Sequence, residues 1–276
     1  MGERGTIAPL VAPGAELSAE QQERFARHIS REEIGMIGQR RLLNARVLMV
    51  GAGGLGSTVL LYLAAAGVGT IGIVDNDRVD LTNLQRQIIH STAAIGELKV
   101  DSAARRLREL NPEIRIERMA LRLDSENIDE VLHGWDLIID GTDNLPTRYL
   151  ISDAAAKAEI PLVWGTVLGW HAQVSVFWSG PRAVAAGFPG PRGISMRDIF
   201  PREAPPQAVP PTAQVGLLGA VPGQAGVVMA SEAIKLITGA GVPLVGRILL
   251  IDALTARTHE IPIVPRVSHT DTPSGE

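Results

Sequence analysis

The chain has 276 residues, 45% of them apolar and 20% charged, with a formal net charge of −4. That length accommodates one large domain or two small ones with a sizeable core, and the mild acidity leaves no basic footprint for nucleic acid. There is no cysteine, which excludes disulfides, cysteine-ligated zinc, a thiol nucleophile and any thioester carried by this chain.

Residues 1–16, MGERGTIAPLVAPGAE, mix charges with no apolar core. They read as a mobile leader and not as a secretory signal, so a cytoplasmic protein is expected. Ser18-Ala-Glu-Gln21 offers a capping box that opens a helix running through Arg24, Arg27 and Ile34. Val47 to Val74 is free of charge over 28 residues but holds seven glycines. Its pattern passes from RVLMV through GAGGLGS and TVLLYLAAAG to TIGIVD, which fits a buried β-α-β unit better than a membrane span.

Short apolar runs recur at 46–50, 70–75, 114–121, 136–142, 161–166 and 172–178, with helical segments at 56–66, 98–110, 125–133 and 146–158. This alternation predicts an α/β fold, a Rossmann-like doubly wound and mainly parallel sheet with helices on both faces. AQVSVFW at 172–178 follows PLVWGTVLGWH so closely that it is expected to add antiparallel at one edge. Residues 180–212 hold eight prolines and four glycines. They predict a long loop without regular structure, either functional or disordered. A helix over 224–238, closed by Gly239, and a hairpin of RILLIDAL with RTHEIPIV then predict an antiparallel C-terminal extension. The expected organisation is a leader at 1–16, one folded unit at 17–265 containing the Pro-rich loop, and a disordered tail at 266–276.

Gly51-Ala-Gly53-Gly54-Leu-Gly56 lies between a predicted strand and a predicted helix. Such glycines permit a tight turn and bring backbone N–H groups to a polyphosphate at the helix N-terminus. Asp75 ends the next strand, where a carboxylate can accept from ribose hydroxyls. Taken alone this pattern says nucleotide and does not separate NAD from ATP. Arg86 and Lys99 then supply two cations for a triphosphate, although each also reads as a solvated surface residue. Asp143 follows a strand at its carboxyl end, where it could hold Mg²⁺ or only cap the helix beginning near Leu145.

These blocks together resemble the ThiF/MoeB/HesA adenylyltransferases, bacterial relatives of the ubiquitin-activating enzymes, and most nearly their MoeB/MoeZ-type sulfur-carrier members. The matching residues are RFARHI at 24–29, GAGGLG at 51–56, AAAGVGTIGIVDNDRVDLTNLQRQ at 64–87 and GELKVDSA at 96–103. DGTDNLPTRYLISDAA at 140–155, AQVSVFW at 172–178 and SEAIKLITG at 231–239 extend the match over residues 17–265. The resemblance implies that Gly51, Gly53, Gly54 and Gly56 cradle ATP phosphates, that Asp75 binds ribose, and that Asn83, Arg86 and Lys99 contact phosphates. It implies Mg²⁺ on Asp143, with Asp77 and Asn144 beside the nucleotide. It also implies a homodimer in which Arg27 reaches the partner's active site, with Arg24 as its neighbour. The implied reaction adenylates the C-terminal glycine of a ubiquitin-like carrier ending in Gly-Gly, for later thiocarboxylate formation.

Two departures stand out. Many relatives hold a structural zinc with two Cys-x-x-Cys pairs, but this cysteine-free chain is expected to have no zinc site and to hold its Pro-rich loop by packing. His28, His90, His133, His171, His259 and His269 are dispersed without ligand spacing and read as ordinary surface or core residues. Thr212 stands where relatives commonly carry a crossover cysteine, and a hydroxyl is a poor acceptor for thioester or persulfide chemistry. Nothing rhodanese-like follows residue 265, so a separate sulfur donor is expected. The rival readings are an enzyme adenylating a peptide or other carboxylate, an NAD-dependent oxidoreductase resting on the glycine loop alone, and a non-catalytic ATP- or carrier-binding scaffold.

Overall fold

A computed structural model describes residues 7–188, 192–203 and 215–264. Thr212 and the 266–276 tail lie outside these residues. The capping box forms as expected: the Gln21 N–H donates to Ser18 Oγ and the Ser18 N–H to Gln21 Oε1, each at 3.1 Å. The helix it opens is short, however. It breaks at Phe25 into α1 (Ala19–Arg24) and α2 (Ala26–Ile29), and α3 (Gly35–Asn44) follows as a separate element. The cause is tertiary, because the buried Phe25 ring fills the space that a side chain at Gly67 would need.

β1 (Arg46–Val50), α4 (Gly54–Ala66) and β2 (Thr70–Val74) make the predicted β-α-β unit, and α5 (Lys99–Leu110) leads on to β3 (Arg115–Met119). The chain then returns across β1 through α6 (Ile128–Leu132), β4 (Leu137–Asp140), α7 (Leu145–Lys157) and β5 (Leu162–Leu168). Strands β3-β2-β1-β4-β5 are parallel. β6 (His171–Ser179) pairs antiparallel with β5, as the short connection predicts.

The Pro-rich stretch is more regular than its composition implies. It contains α8 (Pro181–Ala185), with Pro181 in the first turn where no N–H bond is lost, and β7 (Gly193–Ile194), paired to β6. It is also held by more than packing. The buried Asp198 carboxylate accepts from the Arg192 guanidinium and from the Ser195 N–H and hydroxyl. Arg197 meanwhile ties the segment to Asp153 of α7. α9 (Ala220–Thr238) begins four residues earlier than expected and is closed by left-handed Gly239. β8 (Arg247–Asp252) and β9 (Arg257–Pro262) form the hairpin that extends the sheet beyond β6. No helix of the described residues is long and apolar enough to cross a membrane.

Alternation along β1 divides the core. Val47 and Met49 face α4, α5 and α9, while Leu48 and Val50 face α6 and α7. Residues 7–16 differ from the mobile leader that their composition suggests. Ile7 and Val11 are buried in the first of these layers, the Leu10 N–H donates to the Leu236 carbonyl, and Arg40 donates twice to the Gly14 carbonyl. Burying two such side chains is worth about 3–6 kcal/mol. Deleting residues 1–16 is therefore expected to lower the unfolding free energy by an amount of that order in urea titration, whereas a mobile leader would leave the midpoint in place.

Candidate functional site

Adjacent parallel strands β1 and β4 send their connections in opposite directions, and a crevice opens at their carboxyl ends, as it does at such switch points generally. The cleft there has a volume of about 790 Å³. Its floor is the turn from β1 into α4. Gly51 is left-handed (φ +92°), and a Cβ at Gly56 would stand 2.0 Å from the Gly51 carbonyl oxygen. Only glycine lets the first turn of the helix come that close. The leading N–H groups of α4 have no partner within the helix and carry the positive end of its dipole.

A half-buried carboxylate and a buried imidazole fix this turn. Asp75 accepts from the Ala52 N–H and the Asp77 N–H, each at 2.8 Å. His90 holds the other side of the same residue. Its Nε2 lies 2.9 Å from the Ala52 carbonyl, which can only accept, so Nε2 carries the proton and Nδ1 accepts from the Ser102 hydroxyl at 3.0 Å. Burial pushes the His90 imidazole below its ordinary pKa, which keeps it neutral in this role.

The cations come from the opposite wall. Lys99 opens α5 with its side chain only 7% exposed, and its ammonium is 2.8 Å from Asp77, whose carboxylate is largely solvated. The ammonium is thus charge-paired at the cleft's edge on an otherwise buried stem. Arg86 lines the cleft and donates to the Thr82 carbonyl at 3.1 Å. Asn83 is not among the lining residues. Its carboxamide accepts from the Asp80 N–H at 3.2 Å, and its carbonyl receives the N–H groups of Arg86 and Gln87, so it shapes the turn that carries them.

The third wall follows β4. Asp140 is fully buried, and one carboxylate oxygen accepts from the Thr142 N–H at 2.8 Å and the Thr142 hydroxyl at 2.7 Å. Arg148 reaches back from α7 to the Thr142 carbonyl and, at 2.8 Å, to the Gly165 carbonyl, with its guanidinium 5.6 Å from the Trp164 ring centre. Burial is the main influence on both groups, pushing the Asp140 carboxyl up and the Arg148 guanidinium down, and each charge opposes the other's shift. The peptide of Thr142 is therefore gripped at its N–H by an anion and at its carbonyl by a cation. Asp143 comes next in the chain and lines the cleft. It does not cap α7, because Asn144 does so by accepting from the Thr147 N–H at 3.1 Å.

The structure brings Gly51, Gly53, Gly54, Asp75, Asp77, Arg86, Lys99, Asp143 and Asn144 together around one cleft. It separates Gly56, which packs beneath the turn, and Asn83. It also separates Arg24 and Arg27. Arg24 donates to the Leu110 carbonyl at the far end of α5, about 16 Å along the helix from Lys99 at a rise of roughly 1.5 Å per residue. Gln87, His90, Asp140, Thr142 and Arg148 carry functions that the residue pattern left unassigned. The NLQRQ and TDN-x-x-x-R spacings contain three of the five but do not tell a ligand-facing group from a brace.

This donor set suits a polyphosphate with a hard divalent cation. A helix N-terminus and two cations line one cleft, and one carboxylate there is free of capping duty. No group of three or more metal-binding side chains occurs among the described residues. A cation on Asp143 would complete its shell with phosphate oxygens and water, the habit of Mg²⁺.

A family model described as the ThiF family matches residues 25–272. The chain is 46% identical over 268 residues to the probable adenylyltransferase/sulfurtransferase MoeZ of Mycobacterium tuberculosis, covering 95% of this chain and 67% of that one. It is 43% identical over 244 residues to the sulfur carrier protein adenylyltransferase of Thermus thermophilus, covering 88% of each. It is 41% identical over 246 residues to the SAMP-activating enzyme E1 of Haloferax volcanii, covering 89% and 87%. Among solved structures, E. coli MccB with ATP superposes with a TM-score of 0.71 at 21% identity, covering 92% of this chain and 74% of that one. That similarity shows a shared fold.

Two outcomes test the bracing. Arg148→Met would take the donor from the Thr142 and Gly165 carbonyls and the offsetting charge from Asp140, and is expected to cost about 1–3 kcal/mol of stability or more, with part recovered in the Asp140→Asn/Arg148→Met double variant. For His90, the folded pKa lies below the unfolded value of about 6.5, so the unfolded chain binds more protons between the two and stability falls as pH drops through that window. Thermal melts from neutral to mildly acidic pH are expected to show this decline, and His90→Gln to flatten it.

Proposed function

Because the chain belongs to the ThiF family, we propose that it is an ATP-dependent adenylyltransferase that activates the C-terminal glycine of a ubiquitin-like sulfur carrier. The observation that carries this reading is the convergence of Arg86, Lys99 and Asp143 on the N-terminus of α4 in one cleft. The carrier's terminal carboxylate is ionised at neutral pH and needs no general base. One of its oxygens attacks the α-phosphorus of ATP, the bond from that phosphorus to the β-phosphate bridging oxygen breaks, and pyrophosphate leaves with the electron pair. The products are the acyl-adenylate and pyrophosphate.

The work left to the protein is positioning and charge neutralisation. The first turn of α4 seats the phosphate chain, and Asp75 faces the ribose while bracing the Ala52 peptide. Arg86 and Lys99 offset charge on the α-phosphate and the leaving group. Lys99 exchanges its Asp77 partner for phosphate oxygens, a short movement for an ammonium on a buried stem. Asp143 and its neighbour Asn144 flank the phosphates. Mg²⁺ on Asp143 would supply further neutralisation of the triphosphate.

Arg27 has its function only across a homodimer. α2 packs through Phe25 at Gly67, the carboxyl end of α4, about 20 Å along that helix from the phosphate turn. Arg27 cannot serve its own cleft from there, and a partner chain's cleft is the place left for it. The adenylated carrier is then available to a separate sulfur donor for thiocarboxylate formation.

The test is ATP–pyrophosphate exchange with Mg²⁺, using carriers ending in Gly-Gly and truncations lacking the last glycine. Exchange should require the intact tail, and Lys99→Ala and Asp143→Ala should each lower it on the order of 10²-fold. Absence of exchange with every carrier, in a chain that binds ATP, would overturn the carrier as substrate.

A further inference from the structure

Gln87 is 5% exposed, lines the cleft, and has a buried Oε1 with no hydrogen-bond partner. Its backbone is well ordered by the turn below it, with its N–H donating to the Asn83 carbonyl at 2.9 Å and its carbonyl accepting from the His90 N–H at 3.1 Å. The side chain braces nothing. Its Nε2 instead stands 3.6 Å from where a Cβ would lie on Gly53. Gly53 is the N-cap of α4 and offers no side-chain cap to the helix. A buried amide oxygen left without a donor costs folding free energy, and buried polar groups of this kind are normally paired. The other end of the same carboxamide, Nε2, and an uncapped helix N-terminus thus face the same small volume.

We propose that Gln87 is a ligand-binding residue of the adenylation site, whose carboxamide Nε2–H donates to the phosphate chain of a bound nucleoside triphosphate. Nε2–H donates to a phosphoryl oxygen seated on the first turn of α4, beside Arg86 and Lys99. Oε1 can only accept, and takes a water ordered by the same ligand. Glutamine suits this place because it reaches the phosphates without charge. A carboxylate of the same length would repel them, and an apolar chain of that length would fill the space and bind nothing. The assignment rests on the nucleotide part of the proposed function and not on the identity of the carrier.

The experiment compares the full chain with Gln87→Met and Gln87→Glu, without any carrier, by thermal melting and by calorimetric titration with Mg²⁺–ATP. Without ATP, Gln87→Met is expected to melt at or above the parent temperature, since an unpaired buried amide has been removed. Its affinity for ATP is expected to fall by about tenfold or more, about 1.4 kcal/mol. Gln87→Glu should lose still more affinity, since a second carboxylate would then face the phosphates. A Gln87→Met chain that melts well below the parent and binds ATP as tightly as the parent would overturn the proposal and make Gln87 a structural residue. A parent chain that binds no ATP would overturn it together with the nucleotide reading. A parent that binds ATP but exchanges pyrophosphate with no carrier removes only the carrier, and leaves the Gln87 comparison to decide this point.

Discussion

The contact on which the rest of the site depends is the approach of α4 to the carbonyl of Gly51. The helix begins so close to the end of β1 that even a methyl group at residue 56 would overlap that oxygen. This approach aims the unpaired N–H groups of the first turn into the crevice between β1 and β4. It also sets the depth at which Arg86, Lys99 and Asp143 must stand to meet the same ligand. α9 secures the geometry from the outside, with Pro222 against Gly54 and Gly226 against Thr58. A helix assigned to the C-terminal extension therefore lines the same cleft as the glycine turn.

Around that turn several polar groups are spent on backbone. Asp75 and His90 grip Ala52 at its N–H and its carbonyl, and Asp140 and Arg148 do the same for Thr142. Charged groups sequestered in this way are expensive unless paired, and here each pairing fixes a loop whose next residues face the cleft. A site that works by neutralising developing charge gains from such preorganisation, since little has to move when the reaction occurs. The cleft-facing cations are treated differently. Lys99 keeps a solvated partner that it can leave.

The proline-rich segment, in a chain without cysteine, is held locally. Between α8 and residue 203, the buried Asp198 carboxylate gathers an arginine, a hydroxyl and a backbone N–H. Arg197 stacks 4.4 Å from the Tyr149 ring centre while paired with Asp153. Ion pairs and edge-on aromatic contacts such as Trp178 with Phe188 hold a proline-rich segment against α7 and β6 and give it short regular elements.

The sequence by itself determined the alternating elements of the parallel sheet, the glycine turn, the family, and the group of cleft residues from Gly51 to Asn144. Each of these is a local signal: hydrophobic period, a turn chemistry, or a motif confined to a few consecutive positions. Tertiary structure decided what depends on partners far along the chain. It packed residues 7–16 into the core although their composition suggests a leader, and broke the first helix so that Phe25 could reach Gly67. It set Arg24 and Arg27 a helix length from their own cleft, and turned His90 from an ordinary histidine into a brace for Ala52. It also separated Asn83, which holds a turn, from Gln87 four residues on, which has nothing to hold. Both are carboxamides in one short motif, and only burial and the absence of a partner tell them apart, because satisfaction of a polar group is a property of the space around it and not of its neighbours in sequence.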